Sequence, residues 1–532
     1  MAGKGTGTRS SNEGAPTSLE SLSPEQHRIL AYASAIGSEF DFPLLVGAMG
    51  VEEEALAEEL ERLVHLGILG ERPGGDRFQF AEEEFRARIY RSLTESRLRV
   101  LHRKIAEVME RLYPNPTLPV LTELGRHYFL GKVPAKSYEY NHRAAEIARE
   151  SGEPEIATHH LERVLLDLAS LPGDHRKEQA SIAEALADLY FSLGNFRAAD
   201  VRFTEALEWL GTESPRVRAR LLLSRAEVAR ESLEFDLAVQ RGLEAQRLFE
   251  AVNDRLGVAR TFRLLARIAF SRGAFRDSLD ECLRAFELVQ EDEGGPFLGR
   301  LSIDIGNTFY LIDRGTLDIA IEWYGRAVER LARWNDWVEL ARAYHNLGVA
   351  IGETRPQDGL DYLERAHQAA ERAHDARMMS RSIASGVEFL VALGQLEEAE
   401  RNNEQVGRML EHVPDDMGRE MVEVNRGLIA ERRGQWEDAE QAFERALEMS
   451  RRLRLPGDEA EAAFLLARLR YKTRDTEGAR RAYTVASELG LVELRPTRAA
   501  GFLELGRQLG IPPPGPPRPS GTPAEAADER PL

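Results

Sequence analysis

The feature that most constrains this chain is a repeat of about 40 residues. A small residue, a side chain four positions later and another three beyond it recur as Ala157/Leu161/Val164, Ala199/Phe203/Ala206, Ala238/Gly242/Ala245, Ser278/Cys282/Ala285 and Ala320/Tyr324/Ala327. Gly359/Leu363/Ala366, Ala399/Asn403/Val406, Ala439/Phe443/Ala446 and Ala479/Tyr483/Ala486 continue the series. The leading positions step by 42, 39, 40, 42, 39, 40, 40 and 40 residues. Spacings of four and three put all three side chains on one helix face. Small residues let antiparallel helices approach, and a bulky one fills the gap between neighbouring pairs. Partner helices fit upstream at Leu186/Ala187/Tyr190, Ile305/Gly306/Phe309 and Leu347/Gly348/Ile351. Gly194, Gly273, Gly394 and Gly434 stand where the first helix of a pair should end. One such pair cannot bury its own apolar face, so pairs must stack. The expectation is an all-α solenoid of about nine repeats, with no strand beyond about Leu121.

A different unit precedes the repeats. Ser23-Pro24-Glu25-Gln26 reads as a capping box with proline at the first helical position, opening a helix that runs to Ile36. Phe42 to Met49 and Val51 to Leu66 read as two more helices. Ile68-Leu69-Gly70 and Phe78-Gln79-Phe80 flank Pro73-Gly74-Gly75-Asp76, the pattern of a β-hairpin. Three helices and then a hairpin is the order of a winged helix. The expected layout is a disordered N-terminus (1–18), a winged-helix-like domain (19–114), a repeat solenoid with a C-terminal capping helix (115–510) and a Pro-rich disordered tail (511–532).

The repeat residues resemble the tetratricopeptide repeat in a long form, over about Ala144 to Leu489. Ser278 and Gly359 depart from its usual alanine, and Gly242 and Asn403 from its usual bulky residue. "LSPEQHRILAYASAIGSEFDFPLL", "LERLVHLGILGERPGGDRFQF", "IYRSLTESRLRVLHRKIAEVME" and "ELGRHYFLGKVPAKSYEYNHRAAEIA" resemble the segment that follows the nucleotide-binding domain in STAND-class signalling ATPases. That resemblance covers roughly Leu22 to Leu168 and implies a regulatory winged helix leading into tetratricopeptide repeats. No segment of this sequence matches G-x-x-x-x-G-K-[ST], and Gly3-Lys4-Gly5-Thr6 lacks the preceding strand. The family's nucleotide-sensing histidine falls at Glu82, where a carboxylate would repel phosphate. The resemblance therefore implies that nucleotide sensing is lost.

Composition narrows the function. The 532 residues carry a formal net charge of −19, which opposes phosphate backbones. The third helix of the N-terminal unit bears Glu52, Glu53, Glu54, Glu58, Glu59 and Glu61 against Arg62, so nucleic-acid binding is not expected there either. The single cysteine, Cys282, sits at a gap-filling position and reads as a core residue. His159 and His160 are adjacent and do not share a helix face. No run is long and apolar enough for a membrane span, and no catalytic motif stands out. A cytoplasmic, non-enzymatic protein without cofactor or metal is expected.

One polar pattern keeps the repeat's period. Arg220, Arg260, Arg300 and Arg342 each lie six residues before a small first-helix residue (Ala226, Ala266, Gly306, Gly348), and Arg381 lies five before Gly386. In tetratricopeptide folds the first helices line the concave groove, so the resemblance places this ladder there. Arg263, Arg267, His345 and Asn346 sit close by. Stacked guanidiniums suit an acidic segment or a peptide C-terminus. Alternatively, Asp254, Asp336 and Asp375, six residues before three of these arginines, cap the helices, and carboxylates within the repeats pair with the ladder. The functional expectation is an interaction scaffold or adaptor in signalling, holding a partner protein or peptide in the groove. The alternative is the sensor half of a STAND-type machine, or of a transcription regulator, whose other parts lie on a separate chain.

Overall fold

The computed structural model describes residues 22–74, 76–211, 214–312 and 314–513; the expected disordered N-terminus and all but the first three residues of the Pro-rich tail lie outside them. The chain divides into two compact units, Met1–Arg241 and Gly242–Leu532. Among the described residues no helix is long and apolar enough to cross a membrane.

The first unit opens with α1 (Pro24–Ile36), β1 (Glu39–Asp41), α2 (Phe42–Met49), α3 (Glu53–His65), β2 (Leu69–Glu71) and β3 (Arg77–Phe80). The expected capping box is present: Ser23 Oγ accepts from Gln26 N (3.1 Å), and Gln26 Oε1 accepts from Ser23 N (3.0 Å). The hairpin forms as expected, but β1 was not anticipated. It pairs antiparallel with β3, giving the order β1-β3-β2. Three residues are too few for an alternating pattern to show in sequence. Phe40 of β1 stacks on Phe78 at 5.9 Å, which closes the sheet over the helices.

Next come α4 (Glu83–Ser92), α5 (Glu95–Leu112), α6 (Leu118–Leu130), α7 (Pro134–Glu150) and α8 (Pro154–Ser170). A buried polar chain joins α4, α5 and α6. Arg126 Nη2 donates to His127 Nε2 (3.0 Å), so His127 carries its proton on Nδ1 and donates to His102 Nδ1 at 2.8 Å. His102 then donates from Nε2 to the Tyr90 hydroxyl at 2.8 Å. Burial, with Arg126 nearby, lowers both imidazole pKa values, that of His102 to about 4. Neutral rings are what this relay requires. The remaining helices are α9 (Arg176–Ser192), α10 (Phe196–Leu210), α11 (Pro215–Glu231) and α12 (Phe235–Ala251), in which the boundary between the units falls.

The second unit is an array of helical hairpins. They are α13 (Arg255–Ser271) with α14 (Phe275–Leu288), α15 (Glu291–Ile312) with α16 (Leu317–Trp334) and α17 (Trp337–Gly352) with α18 (Pro356–Arg372). Then follow α19 (Ala376–Ala392) with α20 (Leu396–Met409), α21 (Asp416–Arg433) with α22 (Trp436–Leu453) and α23 (Pro456–Lys472) with α24 (Thr476–Glu488). Two short helices, α25 (Leu491–Leu494) and α26 (Ala499–Leu509), close it. The first helices α13, α15, α17, α19 and α21 touch in succession, whereas α14, α16, α18, α20 and α22 make no comparable contact with one another. The first helices therefore form the inner layer of this unit. α25 packs back against α15, in the second hairpin of the array.

The repeat residues do what their spacing demands. Ala157, Ala199, Ala238, Ala320, Ala399, Ala439 and Ala479 are all fully buried on second helices. Gly359 shows why that position departs from alanine. A Cβ there would sit 2.6 Å from Gly352 Cα and 2.8 Å from the Gly348 carbonyl oxygen, so α17 and α18 meet backbone to backbone. Asn403, in place of a bulky residue, donates to the Val422 carbonyl at 3.1 Å. Cys282 is buried at its gap-filling position, and burial raises its thiol pKa. Several hairpin turns take positive φ at glycine, namely Gly194, Gly273, Gly394 and Gly434, and Leu233 and Arg474 adopt the same conformation where glycine is missing.

Gly359→Ala should cost roughly 1–3 kcal/mol, because backbone on both sides cannot yield. Gly325→Ala on α16, where a Cβ meets nothing within 4 Å, should instead stabilise by about 0.5–1 kcal/mol. Denaturant titration of the two variants checks this; a neutral Gly359→Ala would show that the α17–α18 approach is not limited by backbone contact.

Candidate functional site

The arginine ladder lies on first helices, and four of its five members have carboxylate partners. In the first unit, Arg220 on α11 forks onto Glu184 of α9, with Nη2–Oε2 at 2.9 Å. In the second unit, Arg300 reaches Asp336 at 3.1 Å, and Arg381 grips Asp415 through two bonds of 2.9 and 3.0 Å. Asp336 and Asp415 are the N-cap residues of the next first helices, α17 and α21. Each such arginine thus ties one repeat to the start of the next. Arg342 pairs within its own helix, with Glu339 at 2.8 Å. Arg260 is exposed, and no described residue is its ion-pair partner. Asp254, Asp336 and Asp375 cap their helices, through Gly257, Glu339 and Met378 N–H groups.

The neighbours expected to assist the ladder also have structural ties. Arg263 bonds Asp304 at 2.5 Å with both side chains largely buried. Asn346 donates to Asn307 Oδ1 at 2.8 Å, and Arg267 is half-buried on α13. His345 is different: it lines a cavity, and its Nδ1 is buried with no hydrogen-bond partner among the described residues.

That cavity, of about 460 Å³, opens on the inner layer of the second unit and contains the most unusual electrostatics there. Its walls come from α15 (Tyr310), α17 (His345, Val349), α19 (Ser385, Glu388, Phe389), α21 (Glu420, Met421, Val424) and α23 (Asp458, Glu461). The short link between α25 and α26 closes it with Arg495, Thr497 and Arg498. Arg495 Nε bonds Glu461 Oε2 at 3.0 Å, and its Nη2 reaches Asp458. Arg498 Nε bonds Glu461 Oε1 at 2.7 Å, and its Nη2 bonds Glu388 Oε1 at 2.6 Å, 110 positions away in sequence. Gly457 makes room: a Cβ there would lie 3.2 Å from Arg495 Cζ.

Charge in the cavity does not balance. Five carboxylates line it (Glu353, Glu388, Glu420, Asp458 and Glu461) against the two guanidiniums. Burial pushes Glu461 up, but Arg498 and Arg495 more than offset this and hold it ionised with a lowered pKa. Burial raises Glu388 and Asp458 despite their arginine contacts. Glu353 accepts one bond, from the Tyr310 hydroxyl at 3.0 Å. Glu420 is 5% exposed and accepts from Ser450 Oγ at 3.1 Å, with no cation in contact among the described residues. Burial, reinforced by the Asp458 and Glu461 charges, pushes its pKa up to about 8.

The sequence reading did not find this site. Asp458 and Glu461 are three apart, as are Arg495 and Arg498, which places each pair on one face. That was the available signal. It cannot show that the two pairs meet, because the meeting depends on the array bringing α25 back towards α15. Among the described residues no three or more His, Cys, Asp or Glu side chains converge as metal ligands.

Residues 419–490 match a family model described as tetratricopeptide repeat. No curated protein matches the chain by sequence. Among solved structures, the chain is similar to a signal transduction ATPase with numerous domains (STAND) carrying a tetratricopeptide repeat sensor, from Pyrococcus horikoshii. Identity is 12% over 92% of this chain and 66% of that one, with a TM-score of 0.41, so this chain spans just under two thirds of that protein. It is also similar to aspartyl phosphate phosphatase F from Bacillus subtilis (14% identity, 75% of this chain, 97% of that one, TM-score 0.43). A third is the apo form of RapI (14%, 53%, 99%, TM-score 0.44).

Glu420→Gln tests the charge excess. A carboxyl whose folded pKa is raised gains stability from its proton; that gain is fully present below the ordinary Glu pKa and is lost as pH rises through about 8. Gln removes the loss. The variant should therefore be more stable than the parent at pH 9, on the order of 2–4 kcal/mol, and close to it at pH 5. Thermal melts at the two pH values decide, and a variant destabilised at both would contradict the assignment. The described helices of the second unit form an array of hairpins, and residues 419–490 within it carry the tetratricopeptide-repeat signature.

Proposed function

We propose that this chain is a non-catalytic interaction scaffold that holds a segment of a partner protein against the inner first-helix layer of its second unit. One observation carries the reading: the inner cavity combines apolar wall (Val349, Phe389, Met421, Val424) with polar groups that the fold leaves partly unsatisfied, His345 Nδ1 and the Glu420 carboxylate. Binding pockets are mostly apolar with a few converging polar groups, and span ~300–1,000 Å³. In the second unit Arg300 and Arg381 serve this site as ties between repeats, with Arg260 left as an exposed contact. The N-terminal unit, read as a winged helix, serves as a protein-packing module, since the acidic face of α3 disfavours a phosphate backbone.

Photo-crosslinking in the cells that make the protein tests this reading. A photoreactive residue at Ser385, on the cavity wall, should capture one discrete protein. The same label at Gln368, on the exposed side of α18, should not, and a label at Glu58 reports whether α3 is a second contact. Equal capture at Ser385 and Gln368 would overturn the proposal.

A further inference from the structure

We propose that the inner cavity of the second unit is a binding site for an arginine-bearing peptide segment, and that Arg495 and Arg498 occupy it as a built-in stand-in which the partner's guanidinium displaces. This rests on the reading that the cavity is where the partner sits, and it reverses the acidic partner expected from the ladder.

The carboxylates are already arranged for guanidinium. Glu461 takes Arg495 on one oxygen and Arg498 on the other, and Arg498 spans from Glu461 to Glu388. A planar fork suits such divided acceptors, whereas an ammonium is a point charge. A metal is disfavoured, because the described side chains offer no converging set of ligands.

The site is also not filled. Five carboxylates face two guanidiniums. Among the described residues, Glu420 is almost wholly buried with a hydroxyl as its only hydrogen-bond partner, and the buried His345 Nδ1 has no partner. A buried polar atom without a partner costs free energy unless a ligand supplies one. Val349, Phe389, Met421 and Val424 offer surface for the aliphatic stem of an arginine and for a neighbouring apolar side chain.

The two arginines are not what anchors their own segment. Phe502 of α26 stacks on Tyr483 at 4.1 Å, and Leu491, Leu505 and Leu509 are buried in the same terminal core. Pro496, between the two arginines, is buried as well, so displacing their side chains loosens the link without freeing α26. Both side chains remain about 30% exposed, so a competitor can reach them. A tethered group on a short link acts at an effective concentration of about millimolar, which holds the site closed to weak cations and yields to a segment with more contacts.

The test uses the full chain and a fluorescein-labelled peptide of its own sequence from Glu493 to Ala500. The Arg495→Ala/Arg498→Ala double variant should bind this peptide at least about ten-fold more tightly than the parent, because the tethered competitor is gone. A peptide with citrulline in place of both arginines should bind at least about ten-fold more weakly, as should a chain that also carries Glu388→Gln and Glu461→Gln. In the parent, a millimolar excess of the arginine peptide should raise amide exchange at Arg495–Arg498 and leave α26 protected. That measurement serves even if the double variant does not fold. Equal binding of the citrulline peptide, equal competition by spermine, or unchanged exchange in the parent would each overturn the proposal. Capture of a partner at Ser385 together with any of these results would leave the scaffold reading standing and sink only its arginine specificity. Peptide binding without capture at Ser385 would do the reverse.

Discussion

The close approach of paired helices at small residues is the contact on which the rest depends. Where Gly348, Gly352 and Gly359 meet, no side chain separates α17 from α18. Elsewhere the gap is filled by one ring: a Cβ on Gly306 would lie 2.6 Å from Tyr324, and one on Gly427 2.4 Å from Phe443. Interiors pack densely, so a change of one methyl group there is felt. Each contact sets the rotation of one hairpin, and repetition carries that setting along the second unit. First helices consequently touch first helices, and side chains a hundred residues apart are brought to one cavity.

Electrostatics then divides the arginines into two kinds. Two of the ladder tie a repeat to the N-cap carboxylate of the next, Arg300 to Asp336 and Arg381 to Asp415. Such a carboxylate has two tasks, since Asp336 also caps α17. Arg495 and Arg498 instead enter a cavity where carboxylates outnumber them. Low local dielectric makes these interactions strong and makes any uncompensated charge costly. Glu420 shows that cost directly in its raised pKa. Buried ionic groups of this kind add little net stability compared with apolar packing, which fits a site kept for recognition.

The hairpin array was legible because its signal is local and repeated: three residues within one helix, again every 40 positions. The capping box at Ser23 and the β2–β3 hairpin were legible for the same reason. β1 was not, since a three-residue strand takes its identity from the strand it pairs with. The ladder's spacing was visible, and so was the presence of carboxylates within the repeats that could neutralise it. Which of them would do so was not, because Arg300 pairs with an aspartate 36 positions downstream and Arg342 with a glutamate three positions upstream. Of the acidic cavity only the two spaced pairs, Asp458/Glu461 and Arg495/Arg498, were visible. Its residues share no period, and only the return of α25 to α15 makes them neighbours.

Everything at the inner cavity turns on Arg495 and Arg498 sitting against carboxylates from distant helices. A double-mutant cycle between Arg498 and Glu388 measures this directly, because no shared local structure links positions 110 apart. Denaturant unfolding of Arg498→Ala, Glu388→Gln and the double variant should give a coupling of about 0.5–3 kcal/mol that shrinks only modestly at 1 M salt. Additive effects, with coupling indistinguishable from zero, would mean that the arginine does not occupy the cavity in solution.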